Sequence, residues 1–105
     1  MQCRMPAEDC RKRFTAKALQ PVRDFAEIWF GHTAGAQITF HDPLAAACIF
    51  APDICKYRQG HVAVSLNQPT MGWTVFDSRG EDKPHTVAAE VDPTAFFDHY
   101  FDVVR

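Results

Sequence analysis

The chain contains no C-x-x-C pair. Cys3, Cys10, Cys48 and Cys55 are widely spaced, and no paired Cys/His spacing marks a zinc site. Four reduced thiols are therefore expected, in a cytoplasmic protein. The first residues lack the apolar core of a signal peptide. No apolar run approaches the ~18–20 residues that a membrane span requires. Neither sign of charge prevails: 11 Lys and Arg stand against 13 Asp and Glu, so the net charge is −2. That balance gives no overall attraction to nucleic acid or to anionic membranes. Internal repeats and low-complexity segments are also missing.

Apolar material, by contrast, is plentiful. The 105 residues are 47% hydrophobic and 12% aromatic, with nine Phe and two Trp, which is enough for a core and argues against disorder. The length fits one small domain. A chain this short buries a smaller share of its surface than a large domain does, and it is marginal alone if its apolar faces are meant for a partner. The charge is unevenly placed. Arg4, Arg11, Lys12, Arg13, Lys17 and Arg23 make the first stretch basic, while Asp77, Glu81, Asp82, Glu90, Asp92, Asp98 and Asp102 make the tail acidic. The Arg11-Lys12-Arg13 triplet reads as a solvated helix face, because no aromatic ladder or recognition motif accompanies it.

Local signals divide the chain into helices followed by strands. Residues 6–13 open a helix, with Pro6 in the first turn and Glu8 and Asp9 complementing the dipole. Residues 20–30 carry Val22, Phe25, Ile28 and Trp29 on one helical stripe, and Gly31 is a plausible stop. Residues 32–40 are expected to be a connecting loop. Asp42 is a good N-cap and Pro43 suits the first helical position, so a helix is expected from 43 to about 50, with Pro52 ending it. After Gly60 the period changes to two. His61–Leu66, Trp73–Phe76 and Thr86–Val91 read as strands, with turns at 67–69 and 80–84. Asp92-Pro93 then opens a last helix with an apolar face of Phe96, Phe97, Tyr100, Phe101 and Val104. Short turns imply a hairpin or meander rather than parallel crossovers. An exposed apolar face on the last helix would favour association, so a homo-oligomer is one expectation.

At His41-Asp42-Pro43-Leu44-Ala45-Ala46 the sequence resembles the inosine-uridine preferring nucleoside hydrolases, which carry a His-Asp-Pro segment of this kind near the C-terminal end. Thr70-Met71-Gly72-Trp73-Thr74-Val75-Phe76-Asp77 resembles their Thr-x-Gly-Met-Thr-Val-x-Asp, with Met and Gly transposed and Trp73 in the Met position. Pro6-Ala7-Glu8-Asp9 resembles the Thr-Pro-Glu-Asp that opens a helix upstream of the site. The closing strand and aromatic helix are similar too. The resemblance covers nearly the whole chain. It implies an α/β fold of which residues 1–105 are the C-terminal part: helices, then a small three-stranded β meander and a terminal helix. The acidic cluster Asp-x-Asp-x-x-x-Asp-Asp that begins the family has no counterpart here.

The resemblance also implies chemistry. Family members hydrolyse the N-glycosidic bond of ribonucleosides such as inosine or uridine, through a transition state akin to that of glycoside hydrolysis. Asp42 matches a calcium-binding aspartate. Calcium takes ~6–8 oxygen ligands, so one carboxylate makes no site, and capping the helix is the plain alternative. His41 matches a histidine that donates a proton or a hydrogen bond to the departing base, a task suited to imidazole; an ordinary loop histidine is the alternative. Phe25 and Trp29 share a helix face; in the family, residues of this helix flank the nucleobase, so the pair is a candidate for substrate binding, with core packing as the alternative. A Ca2+-dependent hydrolase fragment, inactive alone, is the first functional expectation. A non-catalytic remnant or subunit with a structural role is the second.

Overall fold

The computed structural model describes residues 3–105. The chain forms two compact units, one from residues 1–54 and 91–105, the other from residues 55–90.

The first unit opens on a short ribbon. Strand β1 (Arg4–Pro6) pairs antiparallel with β2 (Gln37–Thr39), in the register Arg4↔Thr39, Met5↔Ile38 and Pro6↔Gln37. Two further bonds extend the ladder: Phe40 N–H donates to Cys3 O at 3.0 Å, and Ala7 N–H to Ala36 O at 3.1 Å. Alternation explains the pairing. Cys3 and Met5 are buried while Arg4 and Pro6 face out, as period-two side chains must. Helix α1 (Ala7–Arg13) starts directly after Pro6, whose missing N–H falls at a position of the ladder that needs no donor. Helix α2 (Gln20–His32) follows a short 3-10 turn at Lys17–Leu19.

Two expectations fail in this stretch. Gly31 does not stop α2, which runs on to His32; the turn comes at Gly35, whose φ of 66° suits glycine. Residues 32–40 are not merely a loop, since they contain β2. Gln37-Ile38-Thr39-Phe40 alternates polar and apolar, which was the available signal.

Helix α3 (His41–Phe50) begins two residues earlier than expected, with Phe40 at the N-cap and no side chain capping it. The reading of Asp42 as N-cap is thereby corrected. Phe40 alone joins β2 to the helix, so the first turn begins at His41. A 3-10 turn at Pro52–Ile54 follows. The chain leaves this unit after Ile54 and returns at Val91, and Asp92 N–H donates to Ile54 O at 2.9 Å. Helix α4 (Pro93–Val103) then opens as expected, with the Asp92 carboxylate accepting from Ala95 N–H at 3.0 Å.

The core of this unit is aromatic. Phe14, Phe40 and Phe96 are buried, and Phe40 meets Phe96, Phe97 and Tyr100 at 5.2–5.9 Å between ring centroids. Each such pair adds ~0.5–1.5 kcal/mol beyond the area it buries. The aromatic face of α4 is thus turned inward onto Phe40. The basic triplet is engaged at the surface: Arg11 holds Glu27 of α2 through two 2.8 Å bonds, Lys12 holds Glu8 at 2.7 Å, and the Arg13 guanidinium lies 4.1 Å from the Phe101 ring centre.

The second unit is a three-stranded sheet in the order β4-β3-β5. Strand β3 (Cys55–Val64) is longer than the sequence suggests and carries Gly60 in its middle. It forms a hairpin with β4 (Thr74–Asp77), in a register running from His61↔Asp77 to Val64↔Thr74. Strand β5 (His85–Val91) lies on the other edge of β3. Lys56 bonds Glu90 and Val62 bonds His85, so β5 also runs antiparallel to β3. The third strand therefore returns to the far side of the first rather than continuing beside the second.

Candidate functional site

His41 and Asp42 occupy the first turn of α3, immediately past the carboxyl end of β2. This is where α/β folds place ligand-binding groups, because helix N–H groups and loop side chains converge there. The junction is rigid for a definable reason. Phe40, one residue before, is only 3% exposed, and its N–H is tied to Cys3 O. Adjacent residues on a helix point about 100° apart, so the His41 and Asp42 side chains leave the first turn in different directions. Both side chains are exposed. Asp42 in the first turn complements the helix dipole without capping it.

Phe25 and Trp29 lie together, as their spacing requires, on the outer face of α2. They are 74% and 55% exposed, so the core-packing alternative does not describe them in this chain. With Val22, Gln37, Ile38 and Thr39 they line an open groove of about 460 Å³ between α2 and β2. Its α2 wall is aromatic and aliphatic, and its β2 wall sets the apolar Ile38 between the polar Gln37 and Thr39. His41 and Asp42 do not line it; they stand one and two residues beyond Phe40, after β2 has ended.

Among the described residues, no three His, Cys, Asp or Glu side chains gather where they could hold an ion. Asp42 brings one carboxylate, against the ~6–8 oxygens that calcium takes. Nor is any polar or charged side chain buried among the described residues. The candidate residues His41, Asp42, Phe25 and Trp29 are all exposed to water.

In the second unit, the segment from Thr70 to Asp77 forms the end of the β3–β4 connection and β4 itself. The Thr70 and Ser65 hydroxyls lie 2.8 Å apart, and Gly72 N–H donates to Ser65 O at 2.8 Å. The Asp77 carboxyl is held below its usual range, first by the Arg79 backbone N–H and then by the Arg79 side chain. The sheet also gathers His61, His85 and Asp82, for which the sequence offered no motif. The two imidazole rings meet edge-on at 5.5 Å, Val62 N–H donates to His85 Nδ1 at 3.0 Å, and His61 Nδ1 lies 3.5 Å from Asp82.

The order of these segments, with His-Asp at a strand-to-helix junction and an aromatic helix closing the chain, is that of a known enzyme family. A sequence profile of the inosine-uridine preferring nucleoside hydrolases matches residues 2–98, and the chain belongs to that family. The fold agrees. A purine-preferring ribonucleoside hydrolase from Gardnerella vaginalis superposes with a TM-score of 0.72 at 23% identity, over 98% of this chain and 36% of that one. This chain therefore spans little more than a third of the length of that relative. No curated protein matches it. Among the described residues, no helix is long and apolar enough to cross a membrane.

Proposed function

We propose that this chain is the C-terminal, His41-Asp42-bearing part of a nucleoside hydrolase domain, and that it is inactive without the Asp-rich part. The observation that carries this reading is the family match over residues 2–98, with His41 and Asp42 at the junction of β2 and α3. The reaction is hydrolysis of the bond between ribose and base in nucleosides such as inosine or uridine. Cleavage builds positive charge on the sugar and negative charge on the base, as in glycoside hydrolysis. His41 is suited to hydrogen-bond or protonate the departing base. The open rings of Phe25 and Trp29 suit the flat face of a nucleobase.

Asp42 would supply one carboxylate to a calcium ion whose remaining donors come from the acidic segment of the family. This chain's own residues do not form such a site. Water activation likewise falls outside it, and the solvated setting of His41 removes the low-dielectric advantage that such electrostatic catalysis depends on. A cytoplasmic setting fits the buried, reduced thiols of Cys3 and Cys10. The same solvent exposure of His41 and Asp42 favours, as a second reading, a non-catalytic subunit.

Two measurements test these readings. Ribose release from inosine and uridine is expected to be undetectable with the 105-residue chain, and calorimetric titration is expected to show no micromolar calcium affinity. In a protein carrying the complete domain, His41→Ala is expected to lower kcat by ~10²–10⁴, and Asp42→Asn to weaken calcium binding. Turnover by the chain alone would overturn its dependence on the acidic segment. An unchanged rate in the His41→Ala variant of an active complete domain would favour the non-catalytic reading.

A further inference from the structure

Beyond His41 and Asp42, helix α3 is apolar on every side. From Pro43 to Phe50 it contains no charged or polar residue apart from the thiol of Cys48. Helices of that composition occur where they are covered all round. Here only part of the surface is covered: Ala47 is buried, and Pro43, Leu44 and Cys48 are half-buried. The uncovered side carries two stacked i,i+4 pairs, Ala45 with Ile49 and Ala46 with Phe50. Ile49 is 75% and Phe50 80% exposed. Val103 of α4, 68% exposed, extends the patch, and Ala46, Phe50, Tyr100 and Val103 help frame a groove of about 200 Å³ with almost no polar lining.

We infer that this face of α3 is the seam on which the remainder of the nucleoside hydrolase domain packs. The inference rests on the reading of the chain as part of that domain. Two observations select this occupant. The related hydrolase contains the fold of this chain as 36% of its own length, so the greater part of that polypeptide lies outside the match and is available to cover faces left open here. From Ala45 to Phe50 the face also carries no charge, the character of a domain core cut in two rather than of a transient contact, which keeps polar groups. The seam has a consequence for the site. Ile49 and Phe50 lie about two turns along the same rigid helix from His41 and Asp42, so packing at one end fixes where the other end points.

Thiol labelling tests this directly. Ile49→Cys and Phe50→Cys are made singly, with Glu8→Cys as an exposed control, and maleimide modification is timed against the parent chain. It is measured in the 105-residue chain and in the chain joined to the part of the Gardnerella vaginalis hydrolase outside the match. Rapid, concentration-independent labelling is expected in the chain alone. In the joined protein, labelling at positions 49 and 50 is expected to slow at least tenfold while the control is unchanged. Equal rates in the two proteins overturn the seam, as does a joined protein that does not fold. Slowing in the chain alone as its concentration rises overturns it in favour of a second copy. A joined protein with both positions protected but no ribose release keeps the seam and removes the catalytic reading.

Discussion

Phe40 and Phe97 meet edge to face, their ring centres 5.2 Å apart and their planes 89° to one another. The contact ties the residue just before His41 to the middle of α4, so the last helix of the chain holds the strand-to-helix junction of the candidate site. Phe96 and Tyr100, one turn apart on α4, meet the same ring. The aromatic ending of the sequence is therefore a clamp on the His41-Asp42 turn.

Removing the clamp should cost folding before chemistry. Phe40→Ala leaves a cavity at a site only 3% exposed and is expected to destabilise the chain by ~3–5 kcal/mol. Urea denaturation followed by circular dichroism measures it. A loss below 1 kcal/mol would show that the ring is not central to the core.

Gly60 is required by space rather than by backbone angle. A β-carbon there would stand 2.4 Å from the Phe76 ring and 2.5 Å from the Asp77 carbonyl oxygen. Gly60→Ala is expected to cost at least ~1–3 kcal/mol as an overpacked site, with loss of amide protection concentrated in β3 and β4. Adding Phe76→Ala should rescue only part of the loss, because the Asp77 carbonyl belongs to the backbone. Full rescue would mean that the ring alone sets the constraint.

Asp92 caps α4 through its 3.0 Å bond to Ala95 N–H. Asp92→Ala is expected to cost ~1 kcal/mol and Asp92→Asn much less, since an amide oxygen also accepts. Equal losses from the two changes would point to charge rather than capping. Thermal unfolding of the three proteins decides the matter.

Burial, and secondarily the Asp9 carboxylate, pushes the Cys10 thiol up to about 11 from an ordinary 9.0. The folded chain therefore binds this proton more tightly than the unfolded chain. Stability from this group is complete below pH 9 and falls as pH rises from 9 to 11. Cys3 and Tyr100 are raised in the same direction, first by burial. The midpoint of urea unfolding should drop across this window, and Cys10→Ala should flatten the slope; an identical slope in the variant would contradict the assignment. Glu27 has the opposite sign. Hydrogen bonding from Arg11 lowers it from 4.5, so its small, solvent-screened contribution is present above that pH and is lost on acidification.

Much of this was legible without coordinates. Asp92-Pro93 announced α4, because a short acidic side chain before proline satisfies a helix N–H and proline forfeits none. The strands from Trp73 and Thr86, and the stripe of Phe25 and Trp29, followed from period alone. His41-Asp42-Pro43 carried the family. Ribbon β1–β2 was less legible, since three-residue strands give period-two alternation little room to stand out and their partners lie more than thirty residues apart.

The sequence by itself determined which residues are apolar, at what period they recur, and which turns proline, glycine and aspartate permit. Those are local properties, set by backbone sterics and side-chain chemistry within a few residues. The tertiary structure alone decided that the α4 aromatics face inward onto Phe40, that α3 begins at His41 rather than after Asp42, that β5 returns to the far edge of β3, and that Ile49 and Phe50 are left uncovered. Each depends on which distant segments meet, and packing between segments far apart in the chain leaves no periodic mark on either one.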